Sequence, residues 1–344
     1  MKAVTCLFAV GLIVFLIAGC GGGSGTGADG SESVSTEAVS AAETTPKAPE
    51  DREIWVAMDG WDGAETIGLV MAEHRGDFEK ADLFLTALSP VSPNLSILDV
   101  INRTDDVAVA HGPQVVIAKA KGAPIVIVGS MVPHPTAALI WTKESGIGGI
   151  ADLRGQTIAI PGLAFQRDFL EVVLRKGGLT LDDVKVKNVG NDLVPELVKE
   201  KVDAIFGGSA NLEGVDLESQ GFEPVVTPVR GVGIPDYEEL VLVARDDRMA
   251  ADPEPVLDVV SAIASGAVKA AAEPRRAARE LDEDGESNPV LSPRTFRVAT
   301  KRSVPLLSDD GEVDAQRTEA LIDWMYEEKM IETKPSLDEL LYTP

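Results

Sequence analysis

The tightest constraint on this chain is a strand that feeds a helix through Pro161-Gly162. Thr157–Ile160 is a short apolar run bounded by Gly155 and Pro161, which reads as a buried strand. Phe169, Leu170, Val173 and Leu174 then recur at helical spacing. In open α/β sheets, ligands sit beyond the carboxyl ends of strands, where helix N-termini present free N–H groups. Phe165, Gln166 and Arg167 stand at that opening. The competing reading of the stretch is an ordinary strand-to-helix connection.

The same alternation runs through most of the chain. Strands are expected at Glu53–Met58, Leu83–Leu88, Val107–Ala110, Pro124–Gly129, Ala138–Thr142, Thr157–Ile160, Val184–Val189, Ala204–Phe206, Pro224–Pro228 and Leu240–Ala244. Helical patterns lie between most of them, which argues an α/β fold with largely parallel sheets. After Ala244 the expected strands stop, and four helical stretches follow between Pro255 and Lys329. One unit occurs twice: helix, turn, aspartate, short strand, glycine. Asp106 and Asp203 hold the same place in it, 203 − 106 = 97 residues apart. Two lobes of like topology account for that repeat.

Residues 1–19 read as an export signal, with an apolar run from Val4 to Ala18 that is short for a bilayer span. Its end, Leu16-Ile-Ala-Gly-Cys20, resembles a bacterial lipoprotein box, which makes Cys20 the expected lipidation site. Residues 20–50 are rich in Gly, Ser, Thr, Ala and Glu and read as a flexible tether. Thirty such residues reach roughly 30 Å. The expected location is the outer face of the cell membrane or the periplasm, anchored by fat.

Composition removes several functions. The 344 residues carry 31 basic and 56 acidic side chains, a formal charge of −25. Nucleic acid is therefore not an expected partner, since phosphate contacts need clustered Lys and Arg. The only cysteines are Cys6 and Cys20, so the folded part has no disulfide, thiol nucleophile or cysteine metal site. No metal or cofactor is expected.

Four stretches carry a family resemblance. They are Gly68–Phe78, Gly112-Pro-Gln114 through Val126, Glu144 through Pro161-Gly162, and Val189-Gly190 through Asn211-Leu-Glu213-Gly214 to Gly233–Ala244. Together they resemble type II periplasmic-type substrate-binding proteins of ABC importers, and within them the branch that binds thiamine pyrimidine precursors. The similarity runs from about Ile54 to Tyr342. It implies a two-lobed fold, each lobe a mostly parallel sheet flanked by helices, joined by two crossing hinge segments. The first lobe would comprise 51–140 and 243–344 and the second 145–232, with crossings near Ala138–Glu144 and Val232–Val243. A monomer is expected, with a small molecule in the cleft and a membrane permease as partner.

The resemblance also nominates residues. Trp61, Asp62 and Glu65 precede the first helix; they either meet a flat ring and its amine, or are a half-buried tryptophan and capping acids. His111 and Gln114 end the Val107–Ala110 strand, as ligand contacts or as local hydrogen-bonding groups. Gly162, Phe165 and Gln166 form the second-lobe loop, favoured over Arg167. Asn211 and Glu213 match an Asn-x-Glu of the family, but Ser209 and Ala210 replace the aromatic pair expected before it. Tyr237 and Glu239 lie on the second crossing, as ligand contacts or hinge packing. The leading ligand is a small heteroaromatic vitamin precursor. The alternative is an alkanesulfonate, taurine or nitrate, which calls for fixed positive charge or clustered donors at helix N-termini. An enzyme is the alternative from another class; the pyrimidine synthases of the family rely on a cysteine-rich motif that this chain lacks.

Overall fold

The computed structural model describes residues 52–58, 64–88, 94–283 and 291–343. The export signal, Cys20, the tether, Trp61 and Asp62 lie outside these residues. Ten strands occur among them: β1 (Glu53–Ala57), β2 (Phe84–Leu88), β3 (Val107–His111), β4 (Ile125–Val132), β5 (Ala137–Thr142), β6 (Thr157–Ile160), β7 (Lys185–Asn188), β8 (Ala204–Ser209), β9 (Pro224–Pro228) and β10 (Leu240–Arg245). Each expected strand is present, with ends moved by a few residues.

The strands form two five-stranded sheets of order β2-β1-β3-β10-β4 and β7-β6-β8-β5-β9. One strand in each runs against its neighbours, β10 in the first and β5 in the second. All six residues of β10 are buried, as are the first four of β3. Helices cover both faces of these central strands, which is why they read as unbroken apolar runs.

The repeated aspartates explain the likeness of the halves. Asp106 Oδ2 accepts the Trp55 N–H of β1 at 3.1 Å, and the Asp106 N–H donates to Trp55 O at 2.9 Å. Asp203 does the same to Thr157 of β6, at 2.8 Å in both directions. Each aspartate thus fastens the turn before the central strand to the first strand of its own sheet.

The first crossing lies earlier than the sequence pattern places it. β5 pairs with β8 and β9, so its residues belong to the second sheet from Ala137 onward. The chain crosses between β4 and β5, over residues 133–136, and returns over 229–239. An apolar run reports that a strand is buried but not which sheet buries it. Residues 137–140 therefore could not be assigned from their pattern.

The C-terminal helices bind the halves together. Glu254–Ala272 is long and apolar enough to cross a membrane, but it packs on Ile67–His74 as a core helix of the first lobe. The two backbones approach so closely that a Cβ on Gly266 would lie 1.9 Å from Gly68 O. The helix Ala315–Glu327 lies behind both lobes. Its Trp324 meets Phe169 edge-on at 5.0 Å. Its Leu321, Ile322 and Met325 share one buried cluster with first-lobe Val115 and Val116 and second-lobe Leu170 and Val173.

Gly266→Ala should lower stability by about 1–3 kcal/mol through overpacking. Asp203→Ala should cost about 1–3 kcal/mol by leaving a part-buried N–H without its acceptor. Both should appear as a lower urea midpoint at an unchanged m value.

Candidate functional site

The loops that follow β3, β6 and β8 lie where the two lobes meet. On the second-lobe side, the chain leaves β6 through Pro161-Gly162 and enters the helix Gln166–Arg175. Gly162 has φ +94°, and a Cβ there would lie 2.1 Å from the Asn188 amide. Gln166 is buried, and its Oε1 accepts the N–H groups of Gly162 and Leu163, both at 2.9 Å. Two loop donors that could have met an anion are thereby occupied by a side chain. Arg167 is exposed, beside Asp168 and Glu171.

Two glycines end the neighbouring strand. A Cβ on Gly207 would lie 2.7 Å from Gln166 Nε2, and one on Gly208 would lie 2.9 Å from Glu213 Cγ. The missing side chains make room for Gln166 and Glu213 to lie over the strand ends. Glu213 Oε2 accepts the Ser209 N–H at 2.6 Å and its hydroxyl at 3.2 Å. Burial nonetheless pushes the Glu213 carboxyl above its ordinary value.

On the first-lobe side, Glu65 and Asn94 stand at helix starts, while His111 and Gln114 lie where β3 ends. Gln114 Oε1 accepts the His111 N–H at 3.2 Å, and its Nε2 donates to Asn94 Oδ1 at 3.4 Å. His111 Nδ1 lies 2.8 Å from Glu239 Oε1.

The lobes meet across the cleft. Asn94 Nδ2 donates to Gly162 O at 3.2 Å. The rings of His111 and Phe165 lie 5.8 Å apart at 54°. Asn211 Nδ2 donates to Glu65 Oε1 at 3.0 Å and to Ser303 Oγ at 2.7 Å. Toward the outside, Arg302 of the first lobe makes a two-pronged pair with Glu218 of the second, at 3.1 and 2.7 Å.

Glu65, His111, Gln114, Gly162, Phe165, Gln166, Asn211 and Glu213 are therefore brought to one place. Tyr237 and Glu239 are not on the wall but behind it, at 0% and 2% exposure. Their polar atoms are committed to each other and to the first crossing, which corrects their nomination as ligand contacts. Phe165 is also deeper than expected at 3% exposure, its ring edge-on to Phe169 at 4.9 Å. Ser209 is a partner of Glu213 rather than a vacant stacking position, and Ala210 is exposed. Asn94 and Ser303 escaped the sequence reading. Asn94 merely precedes the helix Ser96–Ile101, and nothing in the pattern at Ser303 points to a partner 92 residues away.

The family profile described as NMT1/THI5 like matches residues 64–277. The chain belongs to the NMT1/THI5-like family. A Haemophilus influenzae protein named for thiamine biosynthesis is 26% identical over 290 residues, 83% of this chain and 90% of its own length. The formylaminopyrimidine-binding protein of Halalkalibacterium halodurans is 27% identical over 191 residues, 56% and 58% of the two chains. Other NMT1/THI5-like relatives, such as one from Legionella pneumophila at 23% identity, are named as pyrimidine phosphate synthases. Among solved structures, the periplasmic aliphatic sulphonate binding protein of Escherichia coli superposes with a TM-score of 0.67 at 17% identity, covering 85% of this chain and 92% of that one. That likeness identifies the periplasmic-binding-protein fold. The profile match stops before Ser303 and Arg302, so the first-lobe side of two cross-lobe contacts lies beyond it.

The raised Glu213 carboxyl has a pH signature. A carboxyl whose folded value lies above its unfolded one keeps its proton longer when folded. Its contribution to stability therefore falls as pH rises from about 4.5 through the folded value. Glu213→Gln should remove that fall, leaving the variant as stable as the parent or more so at neutral pH. Urea titrations between pH 4 and 8 would read it, and a steeper loss in the variant would contradict the assignment.

Proposed function

We propose that this chain captures a small, flat, uncharged heteroaromatic molecule of the aminopyrimidine kind between its lobes and presents it to an ABC permease. The supporting observation is a buried carboxyl, Glu213, two residues from Asn211, whose amide reaches Glu65 of the other lobe at 3.0 Å. A carboxyl that burial pushes toward its neutral form can, in that form, accept from a ring amine and donate to a ring nitrogen. His111 and Phe165 supply aromatic edges nearby, and Trp61 is the candidate for a stacking face. A ligand that touches both walls favours the closed arrangement by its differential affinity for it.

An alkanesulfonate is the second reading, and the fold likeness favours it. The wall argues against it. Glu65, Asn94, His111, Gln114, Gln166, Asn211 and Glu213 include no Lys or Arg, and Gln166 occupies two loop N–H groups. The family also contains synthases, but both cysteines of this chain lie before residue 21. We therefore read it as a binder that makes and breaks no bond, working as a monomer outside the cell on a lipid attached at Cys20.

A thermal-shift screen tests this reading, with 4-amino-5-aminomethyl-2-methylpyrimidine and its N-formyl derivative against taurine and longer alkanesulfonates. A ligand at 100 times its Kd adds about 2.7 kcal/mol of stability. The pyrimidines should shift the transition, and Glu213→Gln should weaken them about ten-fold or more. A shift with sulfonates alone would move the assignment to the second reading, and turnover of any compound would end the binder reading. Cys20→Ser should release the chain from the membrane fraction of a bacterial host; retention of the variant would sink the lipid anchor.

A further inference from the structure

Glu239 is a buried carboxylate that the ligand reading does not use. Burying a carboxylate is costly unless donors surround it. Four groups surround this one. Oε1 lies 2.8 Å from His111 Nδ1. Oε2 accepts the Thr136 N–H at 2.8 Å, the Ala137 N–H at 3.4 Å and the Tyr237 hydroxyl at 3.2 Å. Thr136 and Ala137 close the first crossing and begin β5; Glu239 itself closes the second and leads into β10. The main chain adds to this. The Glu239 N–H donates to Val132 O at 2.8 Å, and the Gly112 N–H donates to Glu239 O at 3.3 Å. Gly112 must be a glycine for the approach, since a Cβ there would lie 2.4 Å from Glu238 O. One residue therefore touches both crossings, the end of β4 and the β3 turn that carries His111.

We propose that Glu239 is the positioning residue of the binding cycle: its carboxylate ties the two crossings at one point and orients His111 on the cleft wall. An ionised carboxylate only accepts hydrogen bonds. With the Thr136, Ala137 and Tyr237 groups all donating to it, the bond from His111 is a donation from Nδ1–H. The ring is thereby fixed in one tautomer and one orientation. From there it meets Phe165 of the other lobe at 5.8 Å. A change in the geometry of the crossings moves Glu239, Glu239 moves His111, and His111 moves against Phe165. The effect on affinity rests on the capture reading above; the hinge and tautomer parts need no ligand.

Glu239→Gln and Tyr237→Phe in the full chain test this with three measurements. They are hydrogen exchange over residues 133–139, the ring-nitrogen NMR shifts of the three histidines, and affinity for 4-amino-5-aminomethyl-2-methylpyrimidine. In Glu239→Gln the amide nitrogen turns to the ring. The amide oxygen keeps the other three donors but without the carboxylate charge, so the Thr136 and Ala137 N–H groups should exchange a few-fold faster, the His111 proton should move to Nε2, and affinity should fall about ten-fold. Tyr237→Phe should keep the His111 tautomer and speed Thr136 exchange a few-fold. Unchanged exchange and an unchanged tautomer in Glu239→Gln would overturn the proposal. Should that variant not fold, unchanged exchange in Tyr237→Phe would overturn it alone. If exchange and tautomer respond while neither parent nor variant binds the pyrimidine, the positioning role stands and the ligand reading fails.

Discussion

The two lobes depend on one guanidinium. Arg317, on the helix behind both lobes, donates through Nη1 to Pro133 O of the first crossing at 2.6 Å and to Glu238 Oε1 of the second at 2.7 Å. Glu238 is 2% exposed and also accepts the Ser130 hydroxyl at 2.6 Å and the Asp314 N–H at 3.1 Å. Burial pushes its carboxyl up, and those three donors oppose the push. Such a pair adds little net stability compared with a well-packed apolar pair, but losing one partner strands a buried charge. What it supplies is geometry. The chain crosses between sheets in two places far apart in sequence, and a residue near the C-terminus fixes their spacing.

That arrangement separates what the sequence could reveal from what it could not. The ten strands were legible because each is a local pattern: an apolar run, a flanking glycine or proline, a helical period beyond it. The two-lobe plan was legible because Asp106 and Asp203 repeat one hydrogen-bond duty, clasping β1 and β6, at a constant spacing. The crossing before β5 was misplaced because strand pattern carries burial without partner. Tyr237 and Glu239 were read toward the cleft for a similar reason. A polar residue just before an apolar strand is equally consistent with a ligand contact and with a buried hydrogen-bonding centre, and only the four groups around Glu239 decide it. Asn94 and Ser303 act through partners in the opposite lobe, and long-range pairs leave no trace in a single sequence.

The site itself was legible as a set of positions more than as a set of roles. Gln166 was expected to face the ligand; its carbonyl closes the loop at Gly162 and Leu163, and its amide nitrogen lies over Gly207. This has a consequence for charge. Helix N-termini usually favour anions because their N–H groups are unsatisfied. Here a side chain has satisfied two donors of the loop that leads into the helix, and the nearest arginine is exposed beside carboxylates. A chain with a formal charge of −25 adds a repulsive long-range field to any anionic ligand.

The cleft is therefore selective by default. Its second-lobe wall carries a carboxyl that burial pushes toward the neutral form, so burial works against a ligand that requires the carboxylate. A cationic amine can offset that push by Coulomb attraction. A neutral amidine-like ring edge is indifferent to that push, because it can accept from the acid or donate to the carboxylate. The cross-lobe contacts from Asn94 and Asn211 lower what the ligand must contribute to closure.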